Sequence, residues 1–133
     1  MTTAPAHHTR DAVSVRAAIL TVSDTRTPEN DVSGATIRRL MTANGHRVCD
    51  YAILHDESDL VRQCVLAWCD ADDCDVILIS GGTGLAYRDT TIEALSNLLD
   101  KTIDGFGELF RMLSYHDIGA AAMLSRAVAG TRG

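Results

Sequence analysis

The chain has 133 residues, enough for one domain, and is 46% apolar but only 5% aromatic, so its core must be aliphatic. A formal net charge of −6, with no run of Lys or Arg, argues against binding nucleic acid through a basic face. No apolar stretch is long enough to span a membrane and no signal-peptide pattern opens the chain, so a cytoplasmic location is expected. Cys49, Cys64, Cys69 and Cys74 contain no C-x-x-C pair and read as buried free thiols of a reducing compartment rather than a zinc site.

In chain order, Met1 to Asp11 is polar and reads as a disordered tail, giving a tail over 1–13 and a domain over 14–133. Arg16 to Val22 reads as a first strand. Ser33 to Asn44 reads as a helix, with Ser33 as N-cap, Ile37, Leu40 and Met41 on one apolar face, and Gly45 as its stop. Arg47 to Leu54 is a second strand. Ser58 can cap a following helix whose inner stripe is Leu60, Val61, Cys64, Val65 and Trp68, with Trp68 in the core. After the acidic turn Asp70 to Asp75, the run Asp75 to Ile79 reads as a buried parallel strand, and Ile92 to Leu99 as a helix. Strand and helix alternate, which predicts an α/β fold: a three-layer αβα arrangement around a doubly wound, mostly parallel sheet with right-handed crossovers. Gly105 to Ser114 looks helical through Leu109, Phe110 and Leu113. Periodicity does not decide between helix and strand for Gly119 to Gly130, and Thr131-Arg132-Gly133 reads as a turn.

The segment between the third strand and its helix, Ser80-Gly81-Gly82-Thr83-Gly84-Leu85-Ala86-Tyr87-Arg88-Asp89, carries the strongest chemical signal. Glycines at a strand-to-helix turn let backbone N–H groups approach an anion, and Asp89 adds a carboxylate that can hold a divalent metal. In this topology the loop shares the C-terminal edge of the sheet with Ser23-Asp24-Thr25-Arg26-Thr27 and with His55-Asp56-Glu57-Ser58-Asp59. Together they offer hydroxyls, Arg26 and Arg88 for phosphates, and carboxylates for a metal. Each piece also has a plain structural role. Ser23-Asp24-Thr25 can be a side-chain-stabilised turn, Asp56, Asp59 and Asp89 can serve helix N-termini, and Gly-Gly-Thr-Gly can be a flexible connection. The coincidence of three such loops on one edge favours function. His46, His55 and His116 read as surface residues, and Glu108 and Arg111 as a helical pair.

Thr21-Val22-Ser23-Asp24-Thr25-Arg26, Asp31-Val32-Ser33-Gly34, Ile79-Ser80-Gly81-Gly82-Thr83-Gly84, Arg88-Asp89, Gly105-Phe106-Gly107-Glu108-Leu109-Phe110-Arg111 and Leu124-Ser125-Arg126-Ala127-Val128-Ala129-Gly130 together resemble the MoaB/MogA family of molybdenum cofactor biosynthesis, to which the gephyrin G domain is related. The resemblance runs from about Arg16 to Gly133, with the last segments closest to MoaB. It implies a trimer or hexamer that binds molybdopterin, a pterin dithiolene with a terminal phosphate. It further implies transfer of an adenylyl group from Mg²⁺-ATP to that phosphate, with release of pyrophosphate. The family continues past the position of Gly133 with a strand, a Pro-Gly-Ser or Pro-Gly-Asn loop and a helix, so the chain is expected to lack that C-terminal strand and helix.

By the same resemblance, Asp56 and Asp89 match the two aspartates of active members and would hold Mg²⁺. Gly81, Gly82, Thr83 and Gly84 would hold phosphate oxygens, with Arg88 beside them, and Ser23, Asp24 and Thr25 would add polar contacts. Glu108, Ser125 and Arg126 would lie near the pterin, Arg126 pairing with its phosphate. Two other readings stand beside the enzyme: a non-catalytic molybdopterin-binding protein or oligomeric scaffold, and a nucleotide-binding module of unrelated purpose.

Overall fold

The computed structural model describes residues 13–81 and 91–133. Three parallel strands, β1 (Arg16–Val22), β2 (Arg47–Leu54) and β3 (Val76–Ser80), form a sheet in the order β2-β1-β3. Helix α1 (Val32–Ala43) joins β1 to β2, and α2 (Ser58–Asp70) joins β2 to β3. Successive strand residues point to opposite faces. Tyr51 bonds Asp31 at the start of α1, whereas the preceding Asp50 accepts from Trp68 Nε1 of α2 at 2.9 Å. The two helices therefore cover opposite faces, as a three-layer doubly wound fold requires.

The core lies between the sheet and α2. Ala18, Leu20 and Val22 of β1 are buried against Val61, Val65 and Trp68, with Ala52 and Leu54 of β2 packed alongside. Ala17, Ile19 and Thr21 are buried on the other face. As the central strand, β1 is buried from Ala17 to Val22. The expected burial of β3 is corrected: it is half-buried along its length, because among the described residues it is an outer strand. Its start is fixed by Asp75, whose carboxylate accepts from the Arg16 backbone N–H (2.9 Å), Nε (3.0 Å) and Nη2 (2.9 Å). These hydrogen bonds hold the Asp75 carboxyl down at about 2.

Several sequence expectations change at element ends. The N-cap of α1 is Asp31, not Ser33; its carboxylate accepts from the Gly34 N–H at 3.1 Å. Leu40 is half exposed, so the apolar face expected on α1 is only partly covered. Ser58 is the first residue of α2 rather than its cap, and Glu57 at the cap position makes no side-chain hydrogen bond. Gly45 follows α1 with φ +84, as its stop role predicts. The free cysteines are half-buried except Cys69, which is exposed. Burial pushes the Cys64 and Cys74 thiols up, keeping them protonated.

The remainder forms a smaller lobe. Helix α3 (Thr91–Ser96) ends earlier than its apolar pattern predicts and packs on α2. Strands β4 (Lys101–Thr102) and β5 (Gly130–Thr131) pair antiparallel, so the chain closes in a short ladder rather than a turn. Arg132 Nη1 donates to the Leu98 carbonyl at 2.9 Å and ties this ladder to the core. Between them, α4 (Asp104–Ile118) outruns its expected end. A 3₁₀ turn over Gly119–Leu124 and an extended segment then occupy the stretch left undecided, which is neither long helix nor long strand.

Asp31 is the polar centre of the sheet. It is 4% exposed and accepts from Thr21 Oγ1 (2.7 Å), Tyr51 Oη (2.6 Å) and the Gly34 N–H. Burial pushes its carboxyl up, but the hydrogen bonds from Tyr51, Thr21 and Gly34 outweigh it, and the pKa falls below 3.8. Burial and the same carboxylate push the Tyr51 phenol up to about 12. A lowered carboxyl stabilises the fold above its unfolded pKa and loses that contribution as pH falls through the folded value. Asp31→Ala is therefore expected to cost about 3 kcal/mol at neutral pH, leaving the buried Thr21 hydroxyl and the half-buried Tyr51 hydroxyl unpaired. Urea unfolding should show that deficit shrinking as pH falls below 3.8.

Candidate active site

A doubly wound sheet opens a crevice where its connections diverge to opposite faces, here beyond the C-terminal ends of β1 and β3. Gly81 follows β3 at φ +93, and a Cβ there would collide with the Val22 carbonyl at the end of β1. Only glycine lets the two strand ends come this close. The rest of the expected glycine loop, Gly82, Thr83 and Gly84 with Arg88 and Asp89, lies outside the described residues. Ser80 and Thr91, on either side of it, each bury a hydroxyl oxygen that has no hydrogen-bond partner among the described residues.

The loops after β1 and β2 do meet. Ser23 N–H donates to the Leu54 carbonyl at 2.8 Å, and Asp56 N–H donates to Asp24 Oδ1 at 3.1 Å. His55 Nδ1 lies 3.5 Å from the same Asp24 oxygen. Asp24 thus bridges two strand ends, which puts its own carboxylate and that of the buried Asp56 on one edge. His55, expected to be a plain surface residue, is exposed but has this partner. An isolated histidine carried no sign of it, although its place directly before Asp56 on the site edge was visible.

Ser23 Oγ accepts from the N–H groups of Thr25 (3.2 Å) and Arg26 (3.0 Å), and Arg26 Nη1 donates to the Asn30 carbonyl at 3.2 Å. The side-chain-stabilised turn is therefore present, and it fixes the loop on which Asp24 and Thr25 stand.

Of the residues expected near the pterin, Arg126 is engaged by another side chain and Glu108 is exposed. Arg126 ion-pairs with Glu93, through Nη1 to Oε1 and Nη2 to Oε2, so this structure engages it with a carboxylate of α3. The Glu93 carboxyl is held low by that contact. Ser125 presents its carbonyl to Arg111 Nη1 at 3.1 Å, which replaces the expected Glu108–Arg111 pair, and Glu108 is exposed on α4.

Among the described residues no group of three or more His, Cys, Asp or Glu side chains is placed to hold a metal ion. The side-chain oxygens at this edge and beside the crevice loop, the carboxylates of Asp24 and Asp56 and the hydroxyls of Ser80 and Thr91, are all hard donors. That set fits Mg²⁺ and not a soft metal.

Residues 18–132 match the family described as "Probable molybdopterin binding domain". The chain belongs to the MoaB/MogA family of molybdenum cofactor biosynthesis proteins. It is 52% identical over 128 residues to Molybdenum cofactor biosynthesis protein B of Bacillus cereus, covering 96% of this chain and 76% of that one. A crystal structure of a Molybdenum cofactor biosynthesis protein B superposes with TM-score 0.89 at 53% identity, covering 93% and 78% of the two chains. The tungsten cofactor synthesizing protein MoaB from Pyrococcus furiosus superposes with TM-score 0.81 at 33% identity, covering 92% and 76%. The chain thus spans about three quarters of the length of these MoaB proteins. No helix among the described residues is long and apolar enough to cross a membrane.

If Asp24 is the tie between the two strand ends, Asp24→Ala should free the Asp56 amide. Hydrogen exchange at Asp56 is expected to quicken by about tenfold or more, equivalent to losing one charge-assisted hydrogen bond, while the Leu20 amide in the core keeps its protection.

Proposed function

We propose that this chain is a molybdopterin adenylyltransferase acting in molybdenum cofactor biosynthesis. A terminal phosphate oxygen of molybdopterin attacks the α-phosphorus of ATP, the new P–O bond forms, and pyrophosphate leaves. The observation that supports this reading best is the Asp24 bridge, in which the Asp24 carboxylate accepts from the Asp56 N–H and ties the loops after β1 and β2 together at the same sheet edge where Gly81 follows β3. Family membership and the names of the relatives agree with the pathway.

In this reading the protein contributes alignment and charge rather than covalent chemistry. The Gly81–Gly84 backbone would cradle phosphate oxygens, with Arg88 adding charge. The turn held by Ser23 would keep Asp24 and Thr25 at the mouth. Asp56 and Asp89 would hold Mg²⁺, which when bound supplies positive charge to the leaving pyrophosphate. Arg126, with Glu108 and Ser125, would serve the pterin side, Arg126 exchanging Glu93 for the pterin phosphate. The domain would comprise residues 14–133, with 1–13 as a tail.

A homotrimer or hexamer is part of the same proposal. Phe106, Leu109, Phe110, Met112, Leu113 and Ile118 of α4 are all at least 40% exposed, more apolar surface than one helix of a monomer ordinarily shows. Sedimentation should find assemblies whose melting temperature rises with protein concentration; a monomer with a concentration-independent melting temperature would refute this.

The catalytic reading is tested by single-turnover reaction of molybdopterin, ATP and Mg²⁺, following adenylylated pterin. Asp56→Asn is expected to slow turnover by about 100-fold or more. The same variant should bind ATP more tightly than the parent chain without Mg²⁺, because one like charge is gone, and more weakly with it. Molybdopterin binding without any turnover in the parent chain would mark it as a binding protein, and binding of ATP but not of the pterin would mark a different nucleotide module.

A further inference from the structure

The outer edge of β2 is built to receive another strand. Among the described residues β2 has a neighbour only on its β1 side. Ser23 N–H bonds the Leu54 carbonyl, so Leu54, and by alternation Ala52 and Asp50, turn their backbone groups towards β1. Tyr51 and Ile53 therefore turn theirs outward. The Tyr51 N–H is taken by Asp50 Oδ1 at 2.7 Å. The Tyr51 carbonyl and both backbone groups of Ile53 face a groove. Edges with unpaired backbone groups invite strand pairing and are normally covered or blunted.

That groove has two joined parts, of about 550 and 470 Å³, which share Pro28 and Tyr51. Arg38 and Arg39 line the first and Arg26 the second. The Arg38 guanidinium lies 5.6 Å from the centre of the Tyr51 ring. The one carboxylate in the lining, Asp31, is buried and already accepts from Thr21, Tyr51 and Gly34. The groove is thus cationic in a chain of net charge −6. A second copy docked by two-fold symmetry would set Arg38 and Arg39 against themselves. The chain's own residues 1–12 contain only Arg10 and Asp11 as charged side chains, which cancel, and offer no net negative charge.

We infer that this groove binds an extended acidic segment of a partner protein, added as a strand along Tyr51–Leu54 with its carboxylates on Arg26, Arg38 and Arg39. Main-chain hydrogen bonds to Ile53 would give affinity and the arginines would select charge. Because Ser23 and His55 line the upper end of the groove, the docked segment would finish at the mouth of the candidate active site. The inference stands without the catalytic reading.

The test uses the full chain and two fluorescein-labelled octapeptides, one alternating Glu with Val and one alternating Lys with Val. Anisotropy should show the acidic peptide binding at least about tenfold more tightly than the basic one, with an affinity that weakens as salt is raised. The Ile53 amide of the unmutated chain should gain exchange protection on binding. R38Q/R39Q should weaken the acidic peptide by about tenfold, whereas K101Q, on the separate small ladder, should not. Equal binding of both peptides, no binding by about 1 mM, or an Ile53 amide unchanged by the bound peptide would overturn the proposal. Concentration-dependent self-association that protects Ile53 without peptide would overturn it in favour of a second copy.

Discussion

A carboxylate removed from water at the junction of three elements sets the geometry on which the rest depends. An ionised side chain as buried as Asp31 costs several kcal/mol unless its oxygens are satisfied by good donors. Its donors come from β1 (Thr21), β2 (Tyr51) and the first turn of α1 (Gly34), so meeting them all fixes those elements together. Gly34 belongs to the same constraint, since a Cβ there would strike the Asp31 carboxylate. Thr21 is the penultimate residue of β1, and the loop that carries Asp24 begins two residues later. The buried charge therefore locates one wall of the candidate site as well as the outer strand that bears the cationic groove.

How much of this was legible in the sequence follows from how local each cause is. β1 and β2 lie where their aliphatic runs predict, because the signal is in consecutive residues and Gly45 ends the helix between them. The cap of α1 was misread because Ser and Asp cap about equally well. The choice of Asp31 over Ser33 is made by Thr21 and Tyr51, the latter twenty positions away in sequence. The last stretch was unreadable for a stronger reason. β4 and β5 are two residues each, too short for any period, and exist because Lys101 and Thr131 find each other across the chain.

The candidate site divides along the same line. That the three loops share an edge is a consequence of parallel strands, so the alternation of strand and helix already contained it. Which side chains touch is decided by packing. The Asp56 amide reaches Asp24, His55 approaches the same oxygen, and Arg126 reaches Glu93, each across more than thirty residues. The expectation that Arg126 pairs with a phosphate carries no information about its carboxylate partner Glu93.

The gathering of carboxylates at that edge has a further consequence for the proposed chemistry. Under that proposal Asp24 and Asp56 would stand beside the polyphosphate, in a chain already carrying net charge −6. Arg26 in the neighbouring loop spends a donor on the Asn30 carbonyl, and Arg126 is engaged by Glu93. On the proposed reading the described part of the site would therefore repel a bare polyphosphate. With a divalent cation between them the same carboxylates become part of the attraction, because the ion's own charge reverses the local balance. Such coupling is reciprocal: whatever factor the cation adds to polyphosphate affinity, the polyphosphate adds to cation affinity. Carboxylates that would be a defect in a simple anion pocket thus become, under the proposed reaction, the feature that restricts tight binding to the cation-complexed nucleotide.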